Sequence, residues 1–572
     1  MRTDRWWRSA VIYQIYPRSF ADSNGDGIGD LRGIITHLDY LADLGINAVW
    51  LSPVYPSPGA DAGYDVADYR GIDPLFGTDA DFDELIAGLH ARGIRLVMDV
   101  VFNHTSIEHP WFVDSRSSRE AAKRDWYLWR DARPGCVAGQ PGAEPNNWES
   151  IFGGPAWTYH PATGQYYLNL FTPEQPDLNW ENPLVRAELA DVLRFWLGRG
   201  VDGFRMDVIN FVSKDPAYPD GRVGPSGLGD GYPYFSNGPR IHEFLAELRA
   251  AVGPDVLLIA EAPGVTVHDG ELYTDPARGE VDMLFQFEHV GLDSAETKWD
   301  PRPLQLAELV ENLRRWQLDI GDGWNALYWS NHDQPRVVSR FGDPAYWRES
   351  ATALATLLHL LRGTPFVYQG EELGTTNFGF TSPDEFQDIE ALNAYSGLLG
   401  RGLTAVDAMA RVSRMSRDNA RIPIAWDASP SGGFTTGTPW LPLHPERARV
   451  NAAVEADDPD SVLAYYRRLI ALRHREPVIA LGRLESLELI GDSVVRLVRT
   501  GEGSTIEAFI NLSGAPQRVA AEQGRVLLAN LPLAGDWLTL APWQAVVLDV
   551  FAVGDLAPAV RRTRPASGGA TA

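Results

Sequence analysis

Apolar positions along the 572 residues fall into two alternating patterns. Short, near-continuous apolar runs occupy 10–17, 46–53, 94–103, 201–208, 256–262, 282–288, 325–333 and 364–372. Runs of this length predict strands buried on both faces, as in parallel sheets. Between most of them the spacing changes to three and four. Within 79–92, Phe82, Leu85, Ile86 and Leu89 share one face, and Gly93 ends the run. The segments 185–197, 240–252, 306–318, 349–361 and 461–475 read the same way. Eight strand–helix pairs predict an α/β fold with a closed parallel (β/α)8 barrel, and a doubly wound open sheet is the alternative.

Two stretches break the alternation. Residues 104–176, after the third strand, are rich in Trp, Pro and Gly and lack helical periodicity. They are too long for a plain loop and predict an inserted subdomain over the C-terminal rim of the barrel. Residues 373–440, after the eighth strand, read as irregular. From about 480 short alternating runs such as Val494-Val495-Arg496-Leu497-Val498 predict a C-terminal antiparallel β domain. The expected organisation is barrel 1–103, inserted domain 104–176, barrel 177–479, β domain 480–556 and a disordered tail 557–572.

Composition narrows the function classes. The formal charge is −26, from 76 acidic and 50 basic residues. A nucleic-acid partner is not expected, nor an anionic membrane or polyanionic substrate. The 19 Trp and 20 Tyr suit sugar stacking but equally suit core filling. The one cysteine, Cys136, cannot form an intrachain disulfide, and no Cys/His zinc spacing occurs. With no apolar signal core at the N-terminus and no run of 18 apolar residues, the expected compartment is the cytoplasm.

The strand ends carry the chemistry. The third ends in Asp99-Val100-Val101-Phe102-Asn103-His104, the fourth in Gly203-Phe204-Arg205-Met206-Asp207-Val208, the fifth in Ile259-Ala260-Glu261-Ala262 and the seventh in Ser330-Asn331-His332-Asp333. Buried carboxylates are costly unless paired. Structural pairing of Arg205 with Asp207 or Asp333 would account for any one of them. Three carboxylates, two histidines and an arginine at one barrel mouth point instead to catalysis. Retaining glycoside cleavage needs one carboxylate to attack the anomeric carbon and a second, roughly 5–5.5 Å away, to protonate the leaving oxygen. An adjacent Arg would keep the nucleophile ionised.

These strand ends resemble the signature regions of the α-amylase superfamily, glycoside hydrolase family 13, from about residue 10 to 550. The resemblance implies Asp207 as nucleophile, Glu261 as general acid/base and Asp333 as the third, sugar-gripping carboxylate. Arg205, His104 and His332 would be their partners. The segments Ile151-Phe152-Gly153, Gln175-Pro176-Asp177-Leu178-Asn179-Trp180-Glu181-Asn182 and Asp207-Val208-Ile209-Asn210-Phe211 resemble the oligo-1,6-glucosidase group. In that group a valine after the nucleophile goes with α-1,6 bonds, so Val208 is the expected specificity residue. Asp61 and Tyr64 resemble the closed end of the glucose pocket, with Arg417 pairing Asp61. Phe152, Phe171 and Gln175 resemble further pocket residues, and Glu372 one facing the leaving group.

The chain departs from the group in places. After the arginine run it has Ile422-Pro423-Ile424-Ala425-Trp426 where Thr-Pro-Met-Gln-Trp is usual, and Ala62 follows Asp61. The stretch 427–442 is atypical. These positions are expected at the outer pocket, where they would affect leaving-group preference. The Arg-rich stretch of sucrose isomerases is absent after the sixth strand, where Val290-Gly291-Leu292-Asp293-Ser294 stands. Hydrolysis is thus favoured over isomerisation.

One further loop, Asp22-Ser23-Asn24-Gly25-Asp26-Gly27-Ile28-Gly29-Asp30, sets side-chain oxygens at positions 1, 3, 5 and 9, with the Ile28 carbonyl at 7. The spacing suits a hard cation, with a metal-free Asx turn as the lesser alternative. Gly33 occupies the position where an EF-hand carries Glu. The resemblance implies a structural Ca²⁺ or Mg²⁺ and no organic cofactor. The expected activity is a retaining, exo-acting α-glucosidase on short α-glucosides, preferring α-1,6 bonds. An α-1,4 or broad α-glucosidase, a sucrose hydrolase or a glucosyl transferase is the alternative. A non-catalytic transporter relative would lack the three carboxylates and carry a membrane span.

Overall fold

Each of the eight apolar runs contains a parallel strand: β1 (Ile12–Ile15), β2 (Ala48–Leu51), β3 (Arg95–Val101), β4 (Gly203–Asp207), β5 (Leu257–Glu261), β6 (Met283–Phe285), β7 (Ala326–Leu327) and β8 (Thr364–Tyr368). A computed structural model describes residues 5–501, 503–520, 524–533 and 539–550. The strands hydrogen-bond in the order β6-β5-β4-β3-β2-β1-β8-β7, and a parallel bridge from Leu284 to Asn325 joins the two ends. The sheet is therefore a closed (β/α)8 barrel and not an open doubly wound sheet.

A helix follows every strand: α1 (Leu38–Leu44), α2 (Asp79–Ala91), α3 (Pro183–Gly198), α4 (Ile241–Val252), α5 (Val267–Thr274), α6 (Leu306–Leu318), α7 (Trp347–Leu360) and, after β8, α10 (Val462–Arg475). Their starts follow local chemistry. Thr78 and Asp81 form a capping box at α2, and Asn182 caps α3 with Pro183 at its first position. Two further helices, α8 (Ile389–Gly400) and α9 (Ala405–Met415), stand in the stretch expected to be irregular. They bury Leu398, Ala408 and Val412 against Phe380 and Phe386. Their helical character is hidden in the sequence by Gly397, Gly400 and Gly402, which interrupt the apolar spacing.

The barrel interior is filled by Ile12, Trp50, Val97, Ile259, Met283, Phe285, Tyr328 and Phe366. Above this apolar layer lie the polar strand ends. The insertion carries a three-stranded antiparallel sheet from Trp129–Arg130, Trp157–His160 and Gln165–Leu168. Its Trp148, Phe152, Leu168 and Phe171 pack directly on Val208 and Phe211, so it roofs the mouth beside β4. The C-terminal sheet contains β9 (Arg483–Ile490), β10 (Val494–Gly501), β11 (Ser504–Asn511), β12 (Gly524–Ala529) and β13 (Ala545–Val550), all antiparallel. The tail expected at 557–572 lies outside the described residues.

Candidate active site

Registry between β3 and β4 sets Asp99 opposite Arg205 and Val101 opposite Asp207. Arg205, fully buried over the Trp50 ring, is the hub of the site. Its Nη1 lies 2.9 Å from Asp99 and 2.7 Å from Asp207, and its Nη2 binds Glu261. The pairing with Asp333 considered from sequence is not made; Arg421 Nη2 and Arg417 Nη1 hold Asp333 instead, at 2.9 and 3.1 Å. One guanidinium thus gathers Asp207 and Glu261 side by side.

The same geometry sets the protonation. Burial pushes the Asp207 carboxyl well above its usual range, and Arg205 pulls against it. Asp99 is likewise raised by burial, with Arg205 opposing. Asp99 and Asp207 thus share one cation, and burial outweighs its pull at both. At Asp333 burial also acts upward, but His332, Arg417 and Arg421 outweigh it and hold the carboxyl well below its usual range. His332 Nε2 lies 3.0 Å from Asp333, while Gln14 reaches its Nδ1 at 2.8 Å.

A cavity of about 250 Å³ opens above this cluster. Asp61, Tyr64, His104, Phe152, Phe171, Asp207, Val208, Glu261, Asp333 and Arg417 all line it. Tyr64 is fixed by its hydroxyl, which donates to Asp99 at 2.9 Å, and by stacking on His332 with centroids 5.0 Å apart. At one wall Arg417 reaches Asp61 at 3.2 Å and Asp388, the N-cap of α8, at 2.6 Å. Burial raises Asp61 to about 6 against the pull of Arg417. Gln175 stands behind this wall, donating to Asp61 at 3.2 Å and contacting His104 at 3.1 Å. Burial lowers His104 to about 4, so its imidazole is neutral at pH 7. Val208 has φ 35° and ψ 40°, an unfavourable region for a β-branched residue, and its N–H donates to Glu261 at 3.0 Å.

Several expected positions differ. Glu372 does not reach the cavity: it is fully buried, accepting from the hydroxyls of Tyr13 and Tyr40 at 2.8 and 2.7 Å. A further acidic residue does stand on the cavity wall, Glu390, held by Lys298 at 2.5 Å. Phe287, Tyr232 and Gln334 line it as well. Sequence reading missed Glu390, although Asp388 followed by Ile389-Glu390-Ala391-Leu392 is a helix-start signal. Nor does the atypical segment line the cavity. Trp426 is buried against Phe20 and Tyr40.

Beyond it, residues 427–442 cover the 22–30 loop. Phe434 O accepts from Asp22 N at 2.9 Å, Trp440 N donates to Gly27 O at 3.0 Å, and Thr435 Oγ1 donates to Asp22. In that loop Asp22 accepts N–H bonds from Asn24, Gly25 and Gly27, and Asp30 caps the helix Leu31–Ile35 through Gly33 N. Among the described residues no three His, Cys, Asp or Glu side chains converge as a metal cluster. The donors offered by the loop are nonetheless all oxygens, the kind a hard cation takes.

A (β/α)8 barrel with two carboxylates on one arginine at its C-terminal mouth defines a class, that of barrel enzymes acting through paired acids. Residues 14–482 match the family described as alpha amylase, catalytic domain, and the chain belongs to that family. An oligo-1,6-glucosidase of Parageobacillus thermoglucosidasius is 48% identical over 563 residues, covering 95% of this chain and 99% of that one. The crystal structure of a Bacillus licheniformis trehalose-6-phosphate hydrolase superposes with a TM-score of 0.88 at 41% identity, covering 96% of this chain and 100% of that one. That of an Erwinia rhapontici isomaltulose synthase variant gives 0.91 at 39% identity, also covering 96% and 100%.

Proposed function

We propose that the protein is a retaining α-glucosidase that removes glucose from the non-reducing end of short α-glucosides, with a preference for α-1,6 bonds. The observation that carries this reading is the shared grip of Arg205 on Asp207 and Glu261. Two carboxylates on one guanidinium are held close, as the roughly 5–5.5 Å separation of a retaining pair requires. Asp207 attacks the anomeric carbon while Glu261 passes its proton to the leaving oxygen, releasing the aglycone. Water, deprotonated by Glu261, then displaces Asp207 and yields α-glucose. Asp333, held ionised, accepts sugar hydroxyl hydrogens, while neutral His104, its Nε2 set 3.1 Å from the Tyr64 carbonyl, holds Tyr64 at the cavity wall.

The Asp61–Arg417–Asp388 wall supports exo action, since it blocks one end of a small cavity. Val208, which lines the cavity with an all-hydrocarbon side chain, is consistent with α-1,6 preference. A phosphorylated substrate, the kind named for the Bacillus licheniformis neighbour, suits the cavity poorly. Five carboxylates line it (Asp61, Asp207, Glu261, Asp333 and Glu390) against Arg417 and a Lys298 already paired with Glu390. The mechanism is tested by mass spectrometry of the Glu261→Gln variant after exposure to a substrate with an activated leaving group. A glucosyl adduct on the Asp207 peptide is expected; an adduct elsewhere, or none under single-turnover conditions, overturns it.

We propose in addition that Asp22, Asn24, Asp26, Asp30 and the Ile28 carbonyl hold Ca²⁺ or Mg²⁺ in a structural role. The support is the oxygen-only donor set and its three negative charges within nine residues. When bound, the ion would neutralise that charge and brace the loop beneath the 427–442 cover. Chelation followed by Ca²⁺ should restore about 2.7 kcal/mol of stability at a hundredfold excess over Kd. Asp26→Asn should abolish that response.

A further inference from the structure

A second cavity, of about 420 Å³, lies where the insertion meets the barrel and shares no lining residue with the active-site cavity. Its volume falls in the range of about 300–1,000 Å³ typical of small-ligand sites. Three arginines, Arg119, Arg124 and Arg130, line one part of it in a chain that is otherwise strongly acidic.

Two of those cations form no ion pair among the described residues, although Glu120 and Asp131 act on Arg124 from farther off. Arg124 lies on the Trp129 ring, 3.5 Å from its centroid, and bonds only the Ser115 carbonyl at 2.9 Å and the Gln165 amide at 2.5 Å. Arg130 lies over Tyr218 at 4.6 Å and bonds only the Trp129 carbonyl. Neither has a described carboxylate within ion-pair distance, whereas Arg119 is 3.2 Å from Asp131. Burial lowers Arg124 to about 10, which marks a partly desolvated guanidinium. Arg124 is partly shielded from water without an ion-pair partner, and Arg130 stands exposed beside it, so an arriving anion gains two guanidiniums that no carboxylate already holds. The stacked guanidiniums keep N–H groups free, and planar forks of this kind match phosphate oxygens.

The rest of the lining differs. Asp125, steadied by the side-chain amides of Asn179 and Asn182 at 3.1 and 3.3 Å, is one of its polar groups, and Asn179 and Gln165 are others. Carboxylate and amide groups in that arrangement accept and donate to hydroxyls and repel a second anion. We propose that this cavity is a binding site for a phosphorylated monosaccharide, its phosphate on Arg124 and Arg130 and its hydroxyls on Asp125, Asn179 and Gln165.

The test is calorimetric titration of the full chain with glucose 6-phosphate, inorganic phosphate and glucose. Glucose 6-phosphate is expected to bind more tightly than either of the other two. Arg124→Gln and Arg130→Gln should each weaken it by about tenfold or more, with turnover of an uncharged glucoside unchanged. Arg130 is exposed, so its variant reads out the site even if Arg124→Gln loosens the insertion. Asp125→Asn should weaken the sugar phosphate and spare inorganic phosphate. No binding of the ester beyond that of glucose, or binding that survives both arginine changes, overturns the proposal. Inorganic phosphate binding as tightly as the ester overturns its sugar part.

Discussion

Removing the Arg417 guanidinium tests the closed end of the glucose pocket. Arg417 is buried and touches Asp61 at 3.2 Å, Asp388 at 2.6 Å, Asp333 at 3.1 Å and Glu390 at 3.4 Å. Arg417→Met keeps the length and leaves these carboxylates without their shared cation. Breaking a buried pair from one side costs about 3–5 kcal/mol. On the catalytic side, two charge-assisted hydrogen bonds to substrate or to Asp61 are lost, each about 1.5–3 kcal/mol. Together these lower kcat/KM by about 10²–10⁴-fold. Asp61, already raised to about 6 by burial despite Arg417, loses its main downward pull and rises further. The acid limb of kcat/KM should therefore move to higher pH. The assay is kcat and KM for isomaltose from about pH 4.5 to 8, beside urea unfolding. Arg417→Lys should recover part of the loss, since it restores charge without the fork. An Arg417→Met enzyme with kcat/KM within about twofold of wild type, or with an unmoved acid limb, would refute the reasoning.

Other consequences follow from the same geometry. Glu261→Gln should lower kcat on isomaltose by about 10²–10⁴-fold, and much less on a glucoside whose leaving group needs no protonation, as steady-state rates would show. Val208→Thr, nearly isosteric, should shift the isomaltose-to-maltose ratio of kcat/KM by about tenfold toward maltose; an unchanged ratio removes Val208 from the specificity argument. Burial raises Glu455 to about 8 and Glu371 to about 7 from a usual 4.5. Both stay protonated in the fold while ionised in the unfolded chain, so their contribution to stability is full below about pH 4.5 and falls as pH rises toward about 8. Glu455→Gln should flatten that fall, by up to roughly 5 kcal/mol at about 1.36 kcal/mol per pKa unit, in unfolding titrations across that range.

The barrel was legible because its strands are buried on both faces and stand out as apolar runs, and α6 was bounded at 306 and 318 from periodicity alone. The α8–α9 pair was not, because its apolar face is completed by Phe380 and Phe386 from outside the helices and its glycines mimic a loop. At the site, sequence named every carboxylate that meets Arg205 or lines the cavity except Asp99 and Glu390. Asp99 looked like one more strand-end residue, and only the β3–β4 register reveals it opposite Arg205. Glu372 looked placed for the pocket because it follows β8. The left-handed Gly370 and the turn Glu371–Leu373 swing it back under Tyr13 and Tyr40. The departures at 427–442 concern the cover over the 22–30 loop, and none of 422–442 lines the cavity, whose wall includes Val208, Glu390 and Lys298.

The central claim is that Asp207 and Glu261 act as a retaining pair on α-1,6-linked glucose. Proton NMR of an equimolar isomaltose and maltose mixture, followed from the first seconds, reads bond preference and product anomer together. The account predicts faster loss of isomaltose, with α-glucose appearing first and mutarotating to β afterwards. β-Glucose as the first-formed anomer would contradict the mechanism, and faster loss of maltose would contradict the α-1,6 preference.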